Sequence, residues 1–130
     1  MTIKHSLFKG RVKIPSSKSI SHRAVICAGL SQGVSNIGNI NFSQDIDATI
    51  EAMKSFGVAV EKREASLKIT GAGELDVVGN VIDCFESGST LRFLIPVAAL
   101  TGKKVVFRGR GELVNRPLEP YYRIFDEKHI

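Results

Sequence analysis

Two short segments of this 130-residue chain place hydroxyls and cations just before apolar residues. The first is SSKSISHRA (16–24), in which Lys18 and Arg23 stand among four serines. The second is ESGSTLR (86–92), which runs into FLIPVAAL (93–100). In each segment the polar residues fill only the first turn and a half of a predicted helix. We expect both helices to be buried along their length and to present only their N-termini, which attract phosphate or carboxylate.

Particular side chains in these segments suit an anionic ligand. Lys18 supplies a point charge, and Arg23 follows Ser19 by one helical turn, so the two can face the same ligand. Gly88 lets a ligand approach the backbone closely. A serine at a helix start is often only an N-cap, and one such segment alone would indicate a capped helix with a surface arginine. Two of them in one chain favour anion binding.

A third segment, RGRGELVNRP (108–117), carries Arg108, Arg110 and Arg116 around two glycines. By itself it would indicate a flexible basic loop. Beside two anion-binding helix starts, it could clamp a second anionic group. His22 lies among cations, which makes its protonation costly, so we give it a structural role and no acid–base role.

The net charge of +5 is carried by the first third of the chain. Residues 1–44 contain six Lys or Arg residues and no acid, whereas the other 86 residues hold 12 basic and 13 acidic side chains. Charge alone favours a solvated basic face over a field that gathers an anion. A nucleic-acid-binding module is a further alternative, but residues 1–44 offer only Phe8 and Phe42 for base stacking.

The remaining composition indicates a cytoplasmic globular domain. Cys27 and Cys84 show no paired spacing, which argues against a disulfide framework and a zinc site. We expect both cysteines to be small buried hydrophobic residues. The apolar runs are too short to cross a bilayer, so no membrane partner is expected.

The apolar pattern predicts βαβαββ followed by βαβα, an α/β (α+β) arrangement of two units in a partial domain, 1–130. The first unit spans about 10–72: a strand at 10–15, a helix to about Leu30, a strand at 34–40, a helix capped by Ser43 and ended by Gly57, and a hairpin of 58–62 and 66–70. The incomplete second unit spans about 80–130: a strand at 81–84, a helix to 100 kinked at Pro96, a strand at 104–109, and a helix in 117–127 with Pro117 in its first turn. Because the second unit lacks its hairpin, we expect a fragment of a longer protein.

Four stretches resemble the N-terminal part of the EPSP synthase family, the 3-phosphoshikimate 1-carboxyvinyltransferases. They are IPSSKSISHRAVICAGL (14–30), DIDATIEAMKSFG (45–57), ESGSTLRFLIP (86–96) and GELVNRPLEP (111–120). The resemblance covers nearly the whole chain. It implies two domains of three βαβαββ units each, built as an inside-out barrel, of which this chain supplies most of two units with the second truncated.

The resemblance also implies an activity. The family transfers the enolpyruvyl group of phosphoenolpyruvate to the 5-hydroxyl of shikimate 3-phosphate and releases phosphate, in the shikimate pathway to aromatic amino acids. It uses no metal or organic cofactor, and a tetrahedral intermediate precedes phosphate elimination. The partners implied are these small anionic substrates, with no nucleic acid and no membrane, and the parent protein is expected to be a monomer.

Site residues carry over by position. Lys18 resembles the catalytic lysine between both substrates, and Ser19 and Arg23 resemble binders of shikimate 3-phosphate. Gly88 and Arg116 resemble the groups that hold phosphoenolpyruvate, with Arg116 also catalytic. The family's proton-transferring carboxylates and lysine come largely from the other domain, so we expect the isolated chain to be inactive.

Two departures and two alternatives accompany the resemblance. Glu86 replaces an amide of many relatives and Phe93 a proline of some, which could change affinity for phosphoenolpyruvate or for the inhibitor glyphosate.

The sister family, which acts on UDP-N-acetylglucosamine, typically has Asn after the lysine and a Cys before the RP pair. This chain has Ser19 and no Cys between 85 and 130. A structural fragment that binds nothing, and pairs with a second copy through its sheet edge, is the other alternative.

Overall fold

The computed structural model describes residues 9–130, which form a mixed α/β fold with two small sheets. Its elements in chain order are α1 (Lys18–Leu30), β1 (Val34–Gly38), α2 (Gln44–Ser55), β2 (Ala59–Arg63), β3 (Ser66–Thr70), β4 (Val81–Asp83), α3 (Gly88–Ala99), β5 (Val106–Arg108), a 3-10 helix (Gly111–Asn115) and α4 (Glu119–Lys128). The first sheet has the antiparallel order β1-β3-β2, and β4 pairs in parallel with β5. Within residues 9–130, no helix is long and apolar enough to span a membrane.

Serine side chains begin the three helices that matter for the site. Ser17, Ser43 and Ser87 each accept a hydrogen bond from the backbone N–H three residues later, at 3.4, 3.4 and 3.1 Å. Such a cap satisfies one of the N–H groups that the first helical turn leaves unpaired. The predicted starts of all three helices are therefore confirmed, together with the hairpin of β2 and β3.

The core lies where α1, α2 and α3 pack together and against the two sheets. Its fully buried side chains include Val25 of α1, Ile46, Met53 and Phe56 around α2, Leu67 and Ile69 of β3, Ile82 of β4 and Leu94 of α3. Gly71 joins the end of β3 to the turn between α1 and β1, because its N–H donates to the carbonyl of Gly33 at 3.0 Å. A Cβ atom at Gly71 would collide with the carbonyl oxygen of Ser31. This close approach requires glycine.

α3 continues through Pro96 without a break, where the sequence predicts a kink or irregular turn. Proline lacks an N–H, which leaves the carbonyl of Arg92 without its usual helical partner. The Tyr121 hydroxyl donates a hydrogen bond to that carbonyl at 2.9 Å. The group that Pro96 leaves unpaired therefore docks α4 onto α3.

The predicted strand at 10–15 is wrong, since residues 9–17 form neither helix nor strand. Val12 and Ile14 have the alternation of a strand but are 85% and 78% exposed. A strand needs a neighbour to accept its hydrogen bonds, and none among residues 9–130 pairs with this segment. The segment is instead held at its end by the Ser16 hydroxyl, which accepts from the N–H of Asn41 at 3.0 Å.

Three further predictions are wrong: the burial of Cys27, the burial of α1 along its whole length, and the place of Pro117 in the first turn of α4. Cys27 is exposed, and with Ile20 it lies on an outer face of α1, so that helix is not buried along its length. Sequence alone did not show which face of so apolar a helix meets the core. Pro117 precedes α4, which begins at Glu119, and Pro120 takes the place in the first turn. Cys84 is buried as predicted, and burial raises the pKa of its thiol to about 12.

Candidate functional site

The first turn of α1 presents cations beside Ser19. Lys18 and Ser19 are exposed residues at the helix start. The Lys18 ammonium lies 2.6 Å from the Asp45 carboxylate. Arg23 folds back one turn, so that its Nη1 donates to the carbonyl of Ser19 at 3.0 Å. The Arg23 guanidinium therefore lies beside Ser19, at the same helix start as Lys18.

The first turn of α3 is covered by an arginine from a distant segment. A Cβ atom built on Gly88 would lie 2.5 Å from Nη1 of Arg116 and 3.5 Å from its Cζ. The Arg116 guanidinium therefore rests against the bare backbone at the helix N-terminus, next to the cap Ser87. A planar cation and unpaired helix N–H groups at one place favour an anionic oxygen ligand.

Asp45, in the first turn of α2, connects the two helix starts. Its carboxylate binds Lys18 of α1, and its carbonyl oxygen lies 3.4 Å from the Thr90 hydroxyl of α3. Through this residue the structure brings the Lys18 end of α1 and the Gly88 end of α3 to the same region. Asp45 is not among the residues predicted from the sequence, where the segment 45–57 indicates only a helix. The signal for it was an acid at a helix start, facing a chain segment without any acid.

The three arginines of segment 108–117 do not act together. Arg110 pairs with the Asp83 carboxylate at 2.7 Å and lies over the Phe85 ring at 4.6 Å. A hydrogen bond from the Phe85 N–H lowers the pKa of Asp83, and Arg110 lowers it further. Of these arginines, Arg116 is the one that lies against the α3 start.

The two residues that depart from the family pattern border the site. The Arg23 guanidinium lies 5.0 Å from the centre of the Phe93 ring, a cation–π contact between α1 and α3. The Glu86 carboxylate lies against Gly111, at the start of the 3-10 helix. Phe93 therefore bears on the position of Arg23, and Glu86 places a negative charge beside the segment that carries Arg116.

His22 lies in the core beneath the α1 start. It is fully buried, and its Nδ1 is 2.7 Å from the Thr49 hydroxyl. Burial lowers the pKa of His22, partly opposed by Asp45 and reinforced by Lys18 and Arg23. Among residues 9–130, no cluster of three or more His, Cys, Asp or Glu side chains could hold a metal ion.

We expect His22 to make the fold less stable as the pH falls from 7.5 to 5.5. The unfolded chain takes up a proton at the ordinary pKa of 6.5, whereas the folded chain does so only at lower pH. Stability present above pH 6.5 is therefore lost below it, at a slope of up to about 1.4 kcal/mol per pH unit. Urea unfolding at both pH values measures the loss.

The variant His22→Asn is the control for that prediction. It should be less stable at pH 7.5 but nearly insensitive to pH over this range. Carboxylates with a lowered pKa, such as Asp83, change the stability of the fold only as the pH falls below their ordinary pKa of about 4, which lies outside this range. An equal loss of stability in the variant would contradict the assignment to His22.

The comparisons with known proteins all indicate the same family. The family model EPSP synthase (3-phosphoshikimate 1-carboxyvinyltransferase) matches residues 3–128. The 3-phosphoshikimate 1-carboxyvinyltransferase of Clostridium kluyveri is 55% identical over 130 residues, which is all of this chain and 30% of the relative. The enzyme of the same name from Clostridium novyi is 52% identical over 134 residues, covering 96% of this chain and 31% of the relative.

A solved structure shows the same fold. EPSP synthase from Acinetobacter baumannii superposes with a TM-score of 0.76 at 24% identity, over 89% of this chain and 27% of that chain. This likeness confirms a mixed α/β fold shared with that protein, while the inside-out barrel stays a prediction. The chain spans about 30% of the length of the curated relatives named here. From its sequence match over residues 3–128, the chain belongs to the EPSP synthase (3-phosphoshikimate 1-carboxyvinyltransferase) family.

Proposed function

We propose that this chain is the N-terminal part of an enzyme that transfers the enolpyruvyl group of phosphoenolpyruvate to the 5-hydroxyl of shikimate 3-phosphate. The observation that carries the proposal is the meeting of two cationic helix starts at Asp45, with Lys18 on one side and Arg116 over Gly88 on the other. Relatives at 52–55% identity carry the name of this activity. Two anionic substrates need two such cationic sites.

The α1 start takes shikimate 3-phosphate. Ser19 and Arg23 are exposed there and offer a hydroxyl and a guanidinium to the phosphate. Lys18 contributes a further cation, which its pairing with Asp45 holds at the side of the α2 start. Charge-assisted hydrogen bonds of this kind are about twice as strong as neutral ones.

The α3 start takes phosphoenolpyruvate. Gly88 has no side chain over the backbone of the first turn, and Arg116 supplies a planar cation directly against that backbone. With both substrates bound, the negative charges would repel each other. Lys18 and Arg116 act in catalysis by offsetting that repulsion, so the 5-hydroxyl can approach the enol carbon.

The reaction is an addition followed by an elimination. The 5-hydroxyl oxygen bonds to C2 of phosphoenolpyruvate while C3 gains a proton and the hydroxyl loses one. The C–O bond to phosphate then breaks as C3 gives up a proton, which restores the double bond in the product. These protons move on groups of the second domain, so the chain alone supplies binding groups and charge.

The architecture proposed for the parent follows the family. Residues 10–72 and 80–130 would be two units of one domain in an inside-out barrel, the first without the strand predicted at 10–15 and the second incomplete. The superposition on a solved EPSP synthase over 89% of the chain supports this arrangement. We further propose a monomeric, cytoplasmic parent that needs no cofactor and binds neither nucleic acid nor membrane.

A chimera tests the proposed activity. This chain, joined to the part of the Clostridium kluyveri relative that follows its matched segment, should release phosphate from phosphoenolpyruvate and shikimate 3-phosphate. The isolated chain should release none, because it lacks the second domain. Turnover is measured as free phosphate, with UDP-N-acetylglucosamine as the competing acceptor. A folded chimera that is inactive, or that prefers the UDP-sugar, would contradict the proposal, and so would phosphate release by the isolated chain.

In the same chimera, Gly88→Ala should weaken phosphoenolpyruvate binding without unfolding the protein. The added methyl meets the far end of the Arg116 side chain, which can move aside but then leaves the α3 start. Arg116→Ala should raise the KM for phosphoenolpyruvate by about 10- to 100-fold, the worth of one charged hydrogen bond. The KM for shikimate 3-phosphate should change much less.

Gly38→Ala is the matched control, since a Cβ there meets no atom within 4 Å. It should leave both KM values unchanged. If Gly88→Ala also left the KM for phosphoenolpyruvate unchanged, the assignment of Gly88 and Arg116 to that substrate would be wrong.

A further inference from the structure

A row of polar side chains crosses the core between the two helix starts. It consists of His22 in α1, Thr49 in α2, Thr90 in α3 and the α3 cap Ser87, all of them fully buried. Successive atoms lie 2.7 Å apart: His22 Nδ1 to Thr49 Oγ1, Thr49 Oγ1 to Thr90 Oγ1, and Thr90 Oγ1 to Ser87 Oγ. We name these four residues the hydroxyl row.

Apolar packing alone would not require this row. Burying a hydroxyl is costly unless it finds a partner, and valine would fill the space of either threonine without that cost. Hydrogen bonds differ from apolar contacts in that they fix distance and direction. Three short ones in succession therefore hold α1, α2 and α3 in one lateral arrangement.

One end of the hydroxyl row begins the α3 start, and its middle reaches Asp45. At one end Ser87 accepts from the Thr90 N–H and so begins α3 one residue before Gly88. At the other end His22 is adjacent in sequence to Arg23 on α1. In the middle, both threonine hydroxyls lie near the Asp45 carbonyl, at 3.3 and 3.4 Å. Asp45 in turn holds Lys18 through its carboxylate.

The members of the row share protons in their hydrogen bonds. Each hydroxyl has a single proton, so a threonine that donates to one neighbour cannot at the same time donate to another, and the Asp45 carbonyl is one of those neighbours. His22 Nε2 has no hydrogen-bond partner among residues 9–130, which leaves Nδ1 as the ring atom that the row contacts. The tautomer of His22 and the direction of the threonine hydroxyls are therefore linked.

We propose that Thr49 and Thr90 are positioning residues, which fix the α1 start and the α3 start at one separation through the hydroxyl row. The inference rests on the proposed function in treating the two starts as halves of one substrate site. Neither threonine contacts a substrate. They act through Ser87 and Asp45, which carry the α3 backbone and Lys18.

Two pairs of variants of the 130-residue chain test this role without any ligand. Thr49→Val keeps the side-chain volume but removes the hydroxyl, whereas Thr49→Ser keeps the hydroxyl and removes a methyl group. We expect Thr49→Val to shift the backbone amide signals of residues 87–90 and the His22 ring nitrogen signals. Thr49→Ser should leave both sets near their original values.

The second pair acts from the other side of the row. Thr90→Val should change the His22 ring nitrogen signals, although Thr90 is connected to His22 only through Thr49. Thr90→Ser should leave these signals near their original values. We also expect hydrogen exchange at the Thr90 amide to be about tenfold faster in Thr49→Val, since the loss of one hydrogen bond corresponds to such a factor. Thr70→Val, at an exposed position on β3, is the control that should change none of these signals.

The test compares how strongly the valine variant and the serine variant of each pair disturb the α3 start. If the threonines serve only to fill space, the serine variants will disturb the α3 start more than the valine variants do, and the proposal is overturned. It is equally overturned if the valine variants leave residues 87–90 and His22 unchanged. Should Thr49→Val not fold, the Thr90 pair gives the same decision. Because no ligand is used, failure of the proposed function would be seen separately, in the turnover of the chimera.

Discussion

The ion pair between Lys18 and Asp45 is the contact on which the arrangement of the site depends. It joins a helix start without acids to a helix start with two, since Asp45 and Asp47 both lie in the first turn of α2. Negative charge is favourable at a helix N-terminus, so the two aspartates of α2 offset the partial positive charge of their own helix start. The starts of α1 and α3 contain no acid in their first turns and so present positive ends to an external anion.

This ion pair contributes more to the position of Lys18 than to the stability of the fold. The Lys18 side chain is 57% exposed, so water weakens its attraction to Asp45 and the pair adds little to stability. What it contributes is position, because it keeps an otherwise mobile ammonium beside the two helix starts. The more buried contacts to the Asp45 carbonyl hold the backbone from which that carboxylate extends. A surface pair is thus anchored by a buried polar row.

Local signals made much of the fold predictable. Ser17, Ser43 and Ser87 each act through a residue three positions away, and the β2–β3 hairpin closes over a short turn, so neighbouring residues suffice to identify them. The strand predicted at 10–15 failed for the opposite reason, because a strand depends on a neighbour that the alternation of Val12 and Ile14 does not reveal. Cys27 was misplaced since an apolar helix does not show which of its faces meets the core.

The candidate site was predictable in its residue types but not in its contacts. Lys18, Gly88 and Arg116 could be chosen from helix starts and from the family resemblance. The contacts that join the three helices, from Asp45 to Lys18, from Thr49 to His22 and from Thr49 to Thr90, each connect residues 27 or more positions apart, and only folding brings these residues together. The same is true of Arg110, which the sequence groups with Arg116 and the structure pairs with Asp83.

The proposed function requires that the α1 start of this chain is already arranged to bind a phosphate. The most direct measurement is a titration of the isotope-labelled chain with shikimate 3-phosphate, followed by backbone amide shifts, with unphosphorylated shikimate as the control. We expect localised shifts at Lys18, Ser19 and Arg23 with the phosphorylated ligand alone. A well-folded chain that shows no shifts, or equal shifts with shikimate, would contradict it.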